Sequence, residues 1–308
     1  MVRVKAAAFN PADWKSIDHG HRVTEWPFVP GIDGSGIVEA VGDKVEKVVV
    51  GDEILAIFSP NDRSGSFQEI AITHEMTVAK KPASWSFEEV AGLSVCYFTA
   101  VIGLGIGLKT SLPFLKGGPR EGFEPSSVLV VGASSALGAA TVQVLRLVLP
   151  EARILATSSP QHHDHIASLG VDKSFDRNSP SLVEEVKRAT EGSKGVEAII
   201  DLVGAGREER YLFETFASDG PQKYAQVWTG EDAIEVPSGV DSTMFKAGDF
   251  PELQGSQNIM LSLQNLLAES KYKLPIPIYN LGQGHTGFAN GLEMIRKGVS
   301  GQKLVANP

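Results

Sequence analysis

The chain has 308 residues, of which 42% are hydrophobic and 21% are charged, and its formal net charge is −9. This composition is typical of a globular protein with room for two domains, and the negative charge argues against nonspecific binding to nucleic acid or to a membrane surface. We find no run of 18 apolar residues and no charged leader followed by an apolar segment, so we expect neither a membrane span nor a secretory signal and place the protein in the cytoplasm.

The amino-terminal part, residues 1 to about 90, is predicted to be rich in β-strands. Its short apolar or alternating runs are punctuated by the Gly-Asp pairs at Gly42 and Gly51. Short strands joined by such turns are typical of a barrel-like β domain. The predicted strands begin at Val2 and lie at Ile37–Val41, Val48–Val50 and Ile54–Phe58.

A helix is predicted over Glu88–Leu104, leading into the next domain, and the Gly- and Pro-rich stretch Lys109–Ser127 is predicted to be a surface loop. The only cysteine, Cys96, lies in this apolar helix. One cysteine makes no intramolecular disulfide and no all-cysteine zinc site, so we predict that it is a small buried hydrophobic residue.

The stretch Val128–Val148 reads as a strand, a turn of small residues and a helix. A buried β-branched strand followed by such a turn is the pattern of a dinucleotide-binding βαβ unit, in which the helix N-terminus faces a pyrophosphate. The spacing departs from strict GxGxxG, because serine and alanine replace the central glycine. An ordinary strand-turn-helix is therefore the alternative.

The next predicted strand, Arg153–Ala156, ends in Thr157-Ser158-Ser159, about where an acidic residue would take the ribose 2′-hydroxyl of NAD. A carboxylate would repel a 2′-phosphate, whereas hydroxyls with nearby histidines and Arg177 would accept it. These residues favour NADPH over NADH, although Asp164 weakens the argument. The alternative is a polar loop without a ligand.

A further strand over Val196–Val203 continues the alternation of strands and helices that characterises a doubly wound sheet. An amphipathic helix is predicted at Ile259–Leu267. The tail, Ile276–Pro308, is predicted to contain short strands around a helix at Gly287–Lys297. The fold class is thus α/β, with a doubly wound parallel-sheet domain inserted into a β domain. The predicted bounds are 1–91 and 275–308 for the β domain and 92–274 for the inserted domain.

Five segments of the sequence, at 28–42, 51–54, 98–100, 132–138 and 300–305, together resemble the medium-chain dehydrogenase/reductase superfamily. Two more, at 10–15 and 156–160, resemble its zinc-independent branch of quinone oxidoreductases and fungal trans-enoyl reductases, which include partners of polyketide synthases. The resemblance implies a Rossmann cofactor domain inserted into a GroES-like β-barrel domain. It also implies NADPH-dependent reduction of an activated C=C bond in an enone, quinone or enoyl thioester.

Zinc-dependent relatives have Gly-His-Glu where this chain has Gly31-Ile32-Asp33, and isoleucine cannot bind a metal. The histidines at 162, 163 and 165 are interpreted as a solvated helix start. We therefore predict no metal site.

The resemblance assigns site roles residue by residue. The catalytic candidates are Lys15, as a donor to the developing enolate, and Thr99, beside the nicotinamide; the side chain of Asn10 and backbone N–H groups are further donors to consider. The predicted cofactor-binding residues are Pro11, Ala12, Asp13, Trp14, Gly132, Ser134, Ser135, Ala136, Leu137, Gly138, Ser158, Ser159, Pro160, Gln161, His162, Arg177, Val299 and Ser300. Arg177 replaces the tyrosine that trans-enoyl reductases carry after Phe-Asp, so stacking on the adenine or pairing with phosphate are its two possible roles.

Family members normally have two strands before the segment that starts at Met1, so the β domain is expected to lack its opening strands and to have unpaired edges. Two alternative functions follow. One is an NADPH-binding protein that is truncated or catalytically inactive, and the other is a carbonyl or alcohol oxidoreductase. The expected partner is a small-molecule or carrier-bound substrate, with no nucleic acid and no membrane, and the expected state is a monomer or homodimer.

Overall fold

A computed structural model describes residues 1–21, 23–59, 61 and 63–308. The chain divides into two compact units, which we describe separately. The first unit comprises Met1–Cys96 and Gln257–Pro308, and the second comprises Tyr97–Ser256.

The strands are, in chain order, β1 (Val2–Ala8), β2 (Asp33–Val38), β3 (Glu53–Ile57), β4 (Ile70–Ala71), β5 (Val78–Lys80), β6 (Ser127–Val131), β7 (Arg153–Ser158), β8 (Lys173–Asp176), β9 (Ala198–Asp201), β10 (Lys223–Val227), β11 (Asp241–Phe245), β12 (Ile278–Gln283) and β13 (Lys303–Asn307). The α-helices are α1 (Pro11–His19), α2 (Phe87–Ala91), α3 (Ser94–Ile102), α4 (Ala136–Val148), α5 (His163–Ser168), α6 (Leu182–Arg188), α7 (Ile259–Ala268) and α8 (Gly284–Lys297). A π-helical segment lies at Gly103–Leu108, and 3-10 turns lie at Glu75–Thr77, Pro160–His162, Glu191–Ser193, Ala205–Arg207, Arg210–Thr215, Ala247–Glu252 and Ser256–Asn258.

The first unit is built on one sheet with the order β12-β13-β1-β2-β3-β5, and β4 pairs with β1. Pairing is antiparallel except between β12 and β13. The β-rich character of this part is confirmed, but one predicted strand is displaced and another is wrong. The second predicted strand begins earlier, at Asp33. Val48–Val50 forms no strand: Val50 begins a turn, Val49 and Val50 are exposed, and the Asp52 carboxylate closes the turn by accepting the Val49 N–H at 2.9 Å.

The second unit contains a parallel six-stranded sheet with the order β11-β10-β9-β6-β7-β8. The strand order changes direction at β6, which lies between β9 and β7, as a doubly wound fold requires. The central strand β6 is buried along its whole length, which explains its uniformly apolar sequence. The prediction of a doubly wound parallel sheet together with a GroES-like β domain is confirmed.

The segment Phe87–Leu108 is long and apolar enough to cross a membrane, but 83% of its most apolar window is buried inside the protein, as in a core helix. It is the helix predicted at 88–104, with a break at Gly92 between α2 and α3. The prediction of a surface loop over Lys109–Ser127 is partly wrong. Leu112 and Leu115 are fully buried, because apolar side chains in this loop pack inward.

The unit limits differ from the predicted domain limits. The chain enters the second unit at Tyr97 and leaves it at Ser256, whereas the predicted limits are 91/92 and 274/275. The larger difference concerns α7, which lies in the first unit. There the Lys80 N–H donates to Gln264 Oε1 at 2.9 Å, so that α7 packs against β5.

Candidate cofactor-binding residues and a buried charge cluster

The turn between β6 and α4 requires glycine at two positions. Gly132 has a φ of +81°, in the left-handed region that favours glycine. Gly138 lies against the turn: a Cβ there would be 2.2 Å from the Gly132 carbonyl oxygen. These contacts hold the first turn of α4 close to the end of the strand, which is the geometry that a pyrophosphate cradle needs.

The N-terminus of α4 is shaped to receive an anion. Ser135 is the N-cap residue, and its Oγ accepts the Gly138 N–H at 3.0 Å. The residues of the cap and first turn, Ser134–Leu137, are half-buried, so their polar groups are accessible. A helix leaves its first N–H groups without intrahelical acceptors, and the helix dipole adds positive potential there.

The end of β7 carries the predicted phosphate-binding residues. Ser158 is buried, and its Oγ donates to the Ser159 carbonyl at 3.2 Å. Ser159 and His162 are half-buried, whereas Pro160 and Gln161 are exposed. Of this group, Ser159, Gln161 and His162 present polar side chains to solvent.

Arg177 lies at the same edge of the sheet, because its N–H donates to the Ser158 carbonyl at 3.1 Å and its side chain is exposed. The structure thus brings the backbone of Arg177 next to the end of β7, although Arg177 lies 18 positions after Ser159 in the sequence. Asp176 is opposite Ser158 in the strand register, and its carboxylate accepts the Asn178 N–H at 3.0 Å. The Asp176 carboxylate thus belongs to the residue that pairs with the last residue of β7, beside the serine hydroxyls.

A groove of about 520 Å³ also opens beside Arg177. Its walls are formed by the segment that precedes and begins α6 and by the 3-10 turn Arg210–Thr215. The lining residues are Arg177, Asn178, Ser179, Pro180, Leu182, Val183, Glu184, Glu209, Tyr211 and Glu214.

Sequence reasoning missed Asp201, which organises the end of β9. Its fully buried carboxylate accepts four backbone N–H groups at 2.8–3.1 Å and the Tyr224 hydroxyl at 2.7 Å. Burial and the neighbouring Asp201 raise the pKa of Tyr224, so this hydroxyl stays a donor. The turn that Asp201 holds includes Val203, whose side chain would be 2.6 Å from a Cβ at Gly132. Asp201 therefore supports the turn between β6 and α4 from the neighbouring strand.

The predicted histidine cluster lies where α5 begins, with His162 and His163 half-buried. Among the residues that the structure describes, no group of three or more His, Cys, Asp or Glu side chains is placed to hold a metal ion.

In the first unit, α1 carries Trp14 and Lys15 on its first turns. Pro11 occupies the start of the helix, where its missing N–H costs nothing. The Lys15 Nζ lies 5.7 Å from the centre of the Trp14 ring, and His19 meets that ring edge-on at 5.5 Å between centroids. Both Trp14 and Lys15 are half-buried, so they can present polar and aromatic surface to a ligand.

Asp13, assigned above to the cofactor cleft, faces the interior instead and is 1% exposed. One carboxylate oxygen accepts the Asn10 N–H at 2.7 Å and the other accepts the Gly31 N–H at 3.2 Å. The side chain thus joins the beginning of α1 to the loop before β2.

Asp13 belongs to a buried charge cluster, which we define as Asn10, Asp13, Asp33, Cys96 and Lys303. All five residues are at most 6% exposed. The Lys303 Nζ donates to Asn10 Oδ1 at 2.8 Å and lies 3.4 Å from Asp33 Oδ2 and 3.9 Å from Cys96 Sγ. Asp33 also accepts the Val95 N–H at 3.2 Å and an Asn10 side-chain N–H at 3.4 Å. The cluster joins α1, β2, α3 and β13.

The cluster shifts the pKa of each of its titratable members. Burial raises the pKa of Asp13 to about 7, against the Asn10 N–H and Lys303, which lower it. Burial likewise raises the pKa values of Asp33 and of the Cys96 thiol. Burial alone lowers the pKa of Lys303, but Cys96, Asp33 and Asp13 raise it above its ordinary value. One ammonium thus faces two carboxyl groups.

Sequence reasoning did not find this cluster. The sequence pattern singles out Asp33 only because zinc-dependent relatives have Gly-His-Glu at positions 31–33, and Lys303 only as part of the segment 300–305. The available signal was a charged residue in an apolar strand, since Lys303 is followed by Leu-Val-Ala, all buried. The prediction that Cys96 is buried is confirmed.

The remaining predicted residues are divided between the units. Thr99 lies on α3 in the second unit and is 7% exposed. Val299 and Ser300 follow α8 in the first unit; Val299 packs against the core around Phe9, while Ser300 is exposed. Within the first unit, the charge cluster connects residues 11–15 to residues 299–300. The connection is the hydrogen bond from Lys303, which lies shortly after Ser300, to Asn10, which directly precedes Pro11.

Residues 1–83 match the family of alcohol dehydrogenase GroES-like domains. A trans-enoyl reductase of Pyricularia oryzae is 29% identical over 331 aligned residues, covering 100% of this chain and 90% of the relative. The enoyl reductase component of the lovastatin nonaketide synthase of Aspergillus terreus is 28% identical, covering 99% of this chain and 87% of that protein. Among solved structures, an NAD-dependent alcohol dehydrogenase superposes with a TM-score of 0.77 at 23% identity, covering 100% of this chain and 91% of that one.

Proposed function

Because the chain belongs to the medium-chain dehydrogenase/reductase superfamily, we propose that it is an NADPH-dependent, zinc-independent reductase of an activated carbon–carbon double bond. The similarity over nearly the whole chain to two enoyl reductases carries the proposal of this reaction. The coarser assignment, an oxidoreductase that uses a nicotinamide cofactor, follows from the superfamily.

The residues of the second unit fit the cofactor. Ser135–Leu137 would bind the pyrophosphate at the start of α4, which lies close to the strand end because Gly138 has no Cβ to meet the Gly132 carbonyl oxygen. Ser159 and Gln161 would bind the 2′-phosphate together with Arg177, whose backbone is hydrogen-bonded to the end of β7. A guanidinium and hydroxyl groups suit a phosphate better than they suit a free ribose hydroxyl, which supports NADPH over NADH.

When bound, NADPH supplies a hydride to the β-carbon of the substrate. Negative charge then develops on the substrate carbonyl oxygen, and a positioned donor lowers the energy of that charge. Asn10 is unsuited to this task, because its side chain is buried and bound to Lys303, Asp33 and the Ala8 carbonyl. Lys15, Thr99 and backbone N–H groups remain as donors, and of the two side chains Lys15 carries the positive charge.

The proposal is tested by fluorescence titration of the protein with NADPH and with NADH. A panel of enones, quinones and enoyl thioesters, with ketones and aldehydes as controls, is then followed by NADPH absorbance. We expect tighter binding of NADPH and its oxidation by C=C substrates. Tighter binding of NADH would refute the cofactor assignment, and oxidation by carbonyl compounds alone would favour a carbonyl reductase. Binding without oxidation across the panel would favour a non-catalytic family member.

A further inference from the structure

We infer that Asp13 is a positioning residue: its ionised carboxylate fixes the start of α1, and protonation releases it, so that α1 and the reaction it supports become less ordered in mildly acidic solution. The part that concerns the reaction rests on the proposed function. The part that concerns α1 stands on the geometry of the first unit alone.

The hydrogen bonds of Asp13 are strongest when its carboxyl group is ionised, because the hydroxyl oxygen of a protonated carboxyl group is a weaker acceptor. Each of its two oxygens accepts one backbone N–H, from Asn10 at 2.7 Å and from Gly31 at 3.2 Å. Neither donor can reverse its role, because a backbone N–H never accepts. A proton on the carboxyl group must therefore weaken one of these two bonds, either at the start of α1 or in the loop before β2.

The two ends of α1 are held in different ways. At its C-terminal end Arg296 of α8 makes a two-pronged ion pair with Asp18, with both N–O distances 2.7 Å, on the protein surface. At its N-terminal end the Asp13 carboxylate makes the connection inside the protein. Trp14 and Lys15 directly follow Asp13, so a loosened first turn changes their positions before those of the distal residues.

The titratable groups near Asp13 come from three elements. Asp33 belongs to β2, Lys303 to β13 and Cys96 to α3. Asp33 takes the direct contact with the Lys303 ammonium at 3.4 Å, whereas the two close partners of Asp13 are neutral backbone groups. Among the described residues, Asp13 is thus the carboxyl group of the cluster without a direct cationic contact, and its two backbone hydrogen bonds are the ones that a proton would disturb. Its pKa of about 7, raised mainly by burial, agrees with this geometry.

The sign of the pH effect separates a positioning role from a purely structural one. Because the folded-state pKa of Asp13 is raised from 3.8 to about 7, the folded protein binds this proton more readily than the unfolded chain does. The contribution of Asp13 to the free energy of unfolding therefore increases as the pH falls from about 7 towards 4. The order of α1 and the turnover rate are expected to change in the opposite direction.

The first experiment is hydrogen–deuterium exchange at pH 8 and pH 6, corrected for the intrinsic pH dependence of exchange. In the wild-type protein, we expect protection of the peptides containing Asn10–His19 and Gly31 to fall about tenfold at pH 6, the effect of losing one charge-assisted hydrogen bond. In Asp13→Asn, whose amide offers a single acceptor, protection should be low at both pH values. Asp18→Asn, on the same helix but exposed, should keep the wild-type pH dependence.

The second experiment measures kcat and KM for an enoyl substrate over the same pH range. We expect kcat of the wild type to fall below pH 7, while Asp13→Asn gives a low and flat profile and remains at least as resistant to urea at pH 8 as the wild type. Wild-type α1 protection that is equal at both pH values would overturn the inference. So would a turnover profile in Asp13→Asn that follows the wild type. If no substrate is turned over, the proposed function fails, and the exchange experiment still decides the role of Asp13.

Discussion

The turn between β6 and α4 and the buried charge cluster are built on opposite principles. The turn uses small residues that are adjacent in sequence and leaves polar backbone groups accessible at a helix N-terminus. The cluster brings together polar and charged residues from positions 10 to 303, closes them off from water and connects them by hydrogen bonds. The comparison suggests that the first region is shaped for a ligand, whereas the second holds the elements that carry ligand-facing residues.

The largest effect is expected from removing the cation of the cluster. The stem of Lys303 packs closely on Gly92: its Cγ is 2.7 Å from where a Cβ at Gly92 would be. Lys303→Met keeps a stem of similar shape at this contact but leaves Asp33 buried without its ammonium partner. We expect the free energy of unfolding at pH 7 to fall by about 3–5 kcal/mol. Urea denaturation measures this.

The exposed Lys297→Met provides the control, since Lys297 pairs with Glu293 on the surface and should change little. In a double variant with Asp33→Asn, the loss should be smaller than in Lys303→Met, because the carboxylate that contacts the ammonium is also removed and Asp13 is the one buried acid of the cluster that remains. Equal losses in the single and double variants would show that Lys303 contributes through packing alone.

Lys15→Ala tests whether α1 delivers a chemical group as well as a fixed backbone. If the Lys15 ammonium donates to the enolate, kcat should fall about a hundredfold, with a smaller change in KM, since preorganised donors to an oxyanion contribute on this scale. Steady-state kinetics with NADPH and an enoyl thioester measures this. Lys44→Ala, in an exposed loop of the same unit, is the matched control. Unchanged kinetics in Lys15→Ala would remove this residue from the mechanism.

Gly138→Ala tests the fit of the turn in the second unit. The added Cβ would lie 2.2 Å from the Gly132 carbonyl oxygen, so the helix start has to move away from the strand. Such a displacement is expected to cost about 1–3 kcal/mol in stability and to weaken NADPH binding about tenfold or more. Fluorescence titration and urea denaturation measure the two effects. Gly42→Ala, at a position with open space, should leave both unchanged. Wild-type affinity in Gly138→Ala would argue against a cofactor at this turn.

The difference between the two regions also explains what could be predicted from the sequence. The strand, turn and helix at 128–148 are consecutive, so local pattern was sufficient to place β6 and α4. The charge cluster joins residues up to 293 positions apart, and only Lys303, a charged residue in an apolar strand, differs clearly from its neighbours. The strand predicted at Val48–Val50 is wrong because local pattern was misleading there. Its β-branched residues have a high β-propensity, but the Asp52 carboxylate binds the Val49 N–H and closes a turn.

Arg177→Ala is expected to have the smallest effect and tests the preference of the cofactor site for NADPH. Arg177 is exposed, and its backbone is bonded to Ser158, so its side chain can reach a phosphate at the end of β7 without supporting the fold. If it pairs with the 2′-phosphate, Kd for NADPH should rise about tenfold, the effect of one charge-assisted interaction, while Kd for NADH stays the same. If it stacks on the adenine instead, both Kd values should rise together, because both cofactors carry that ring. Lys173→Ala, at the other end of β8, controls for the loss of a positive charge. Unchanged affinity for both cofactors would leave the serine hydroxyls at the end of β7 and His162 as the groups that distinguish NADPH from NADH. It would also show that Arg177, which follows β8, takes no part in that distinction.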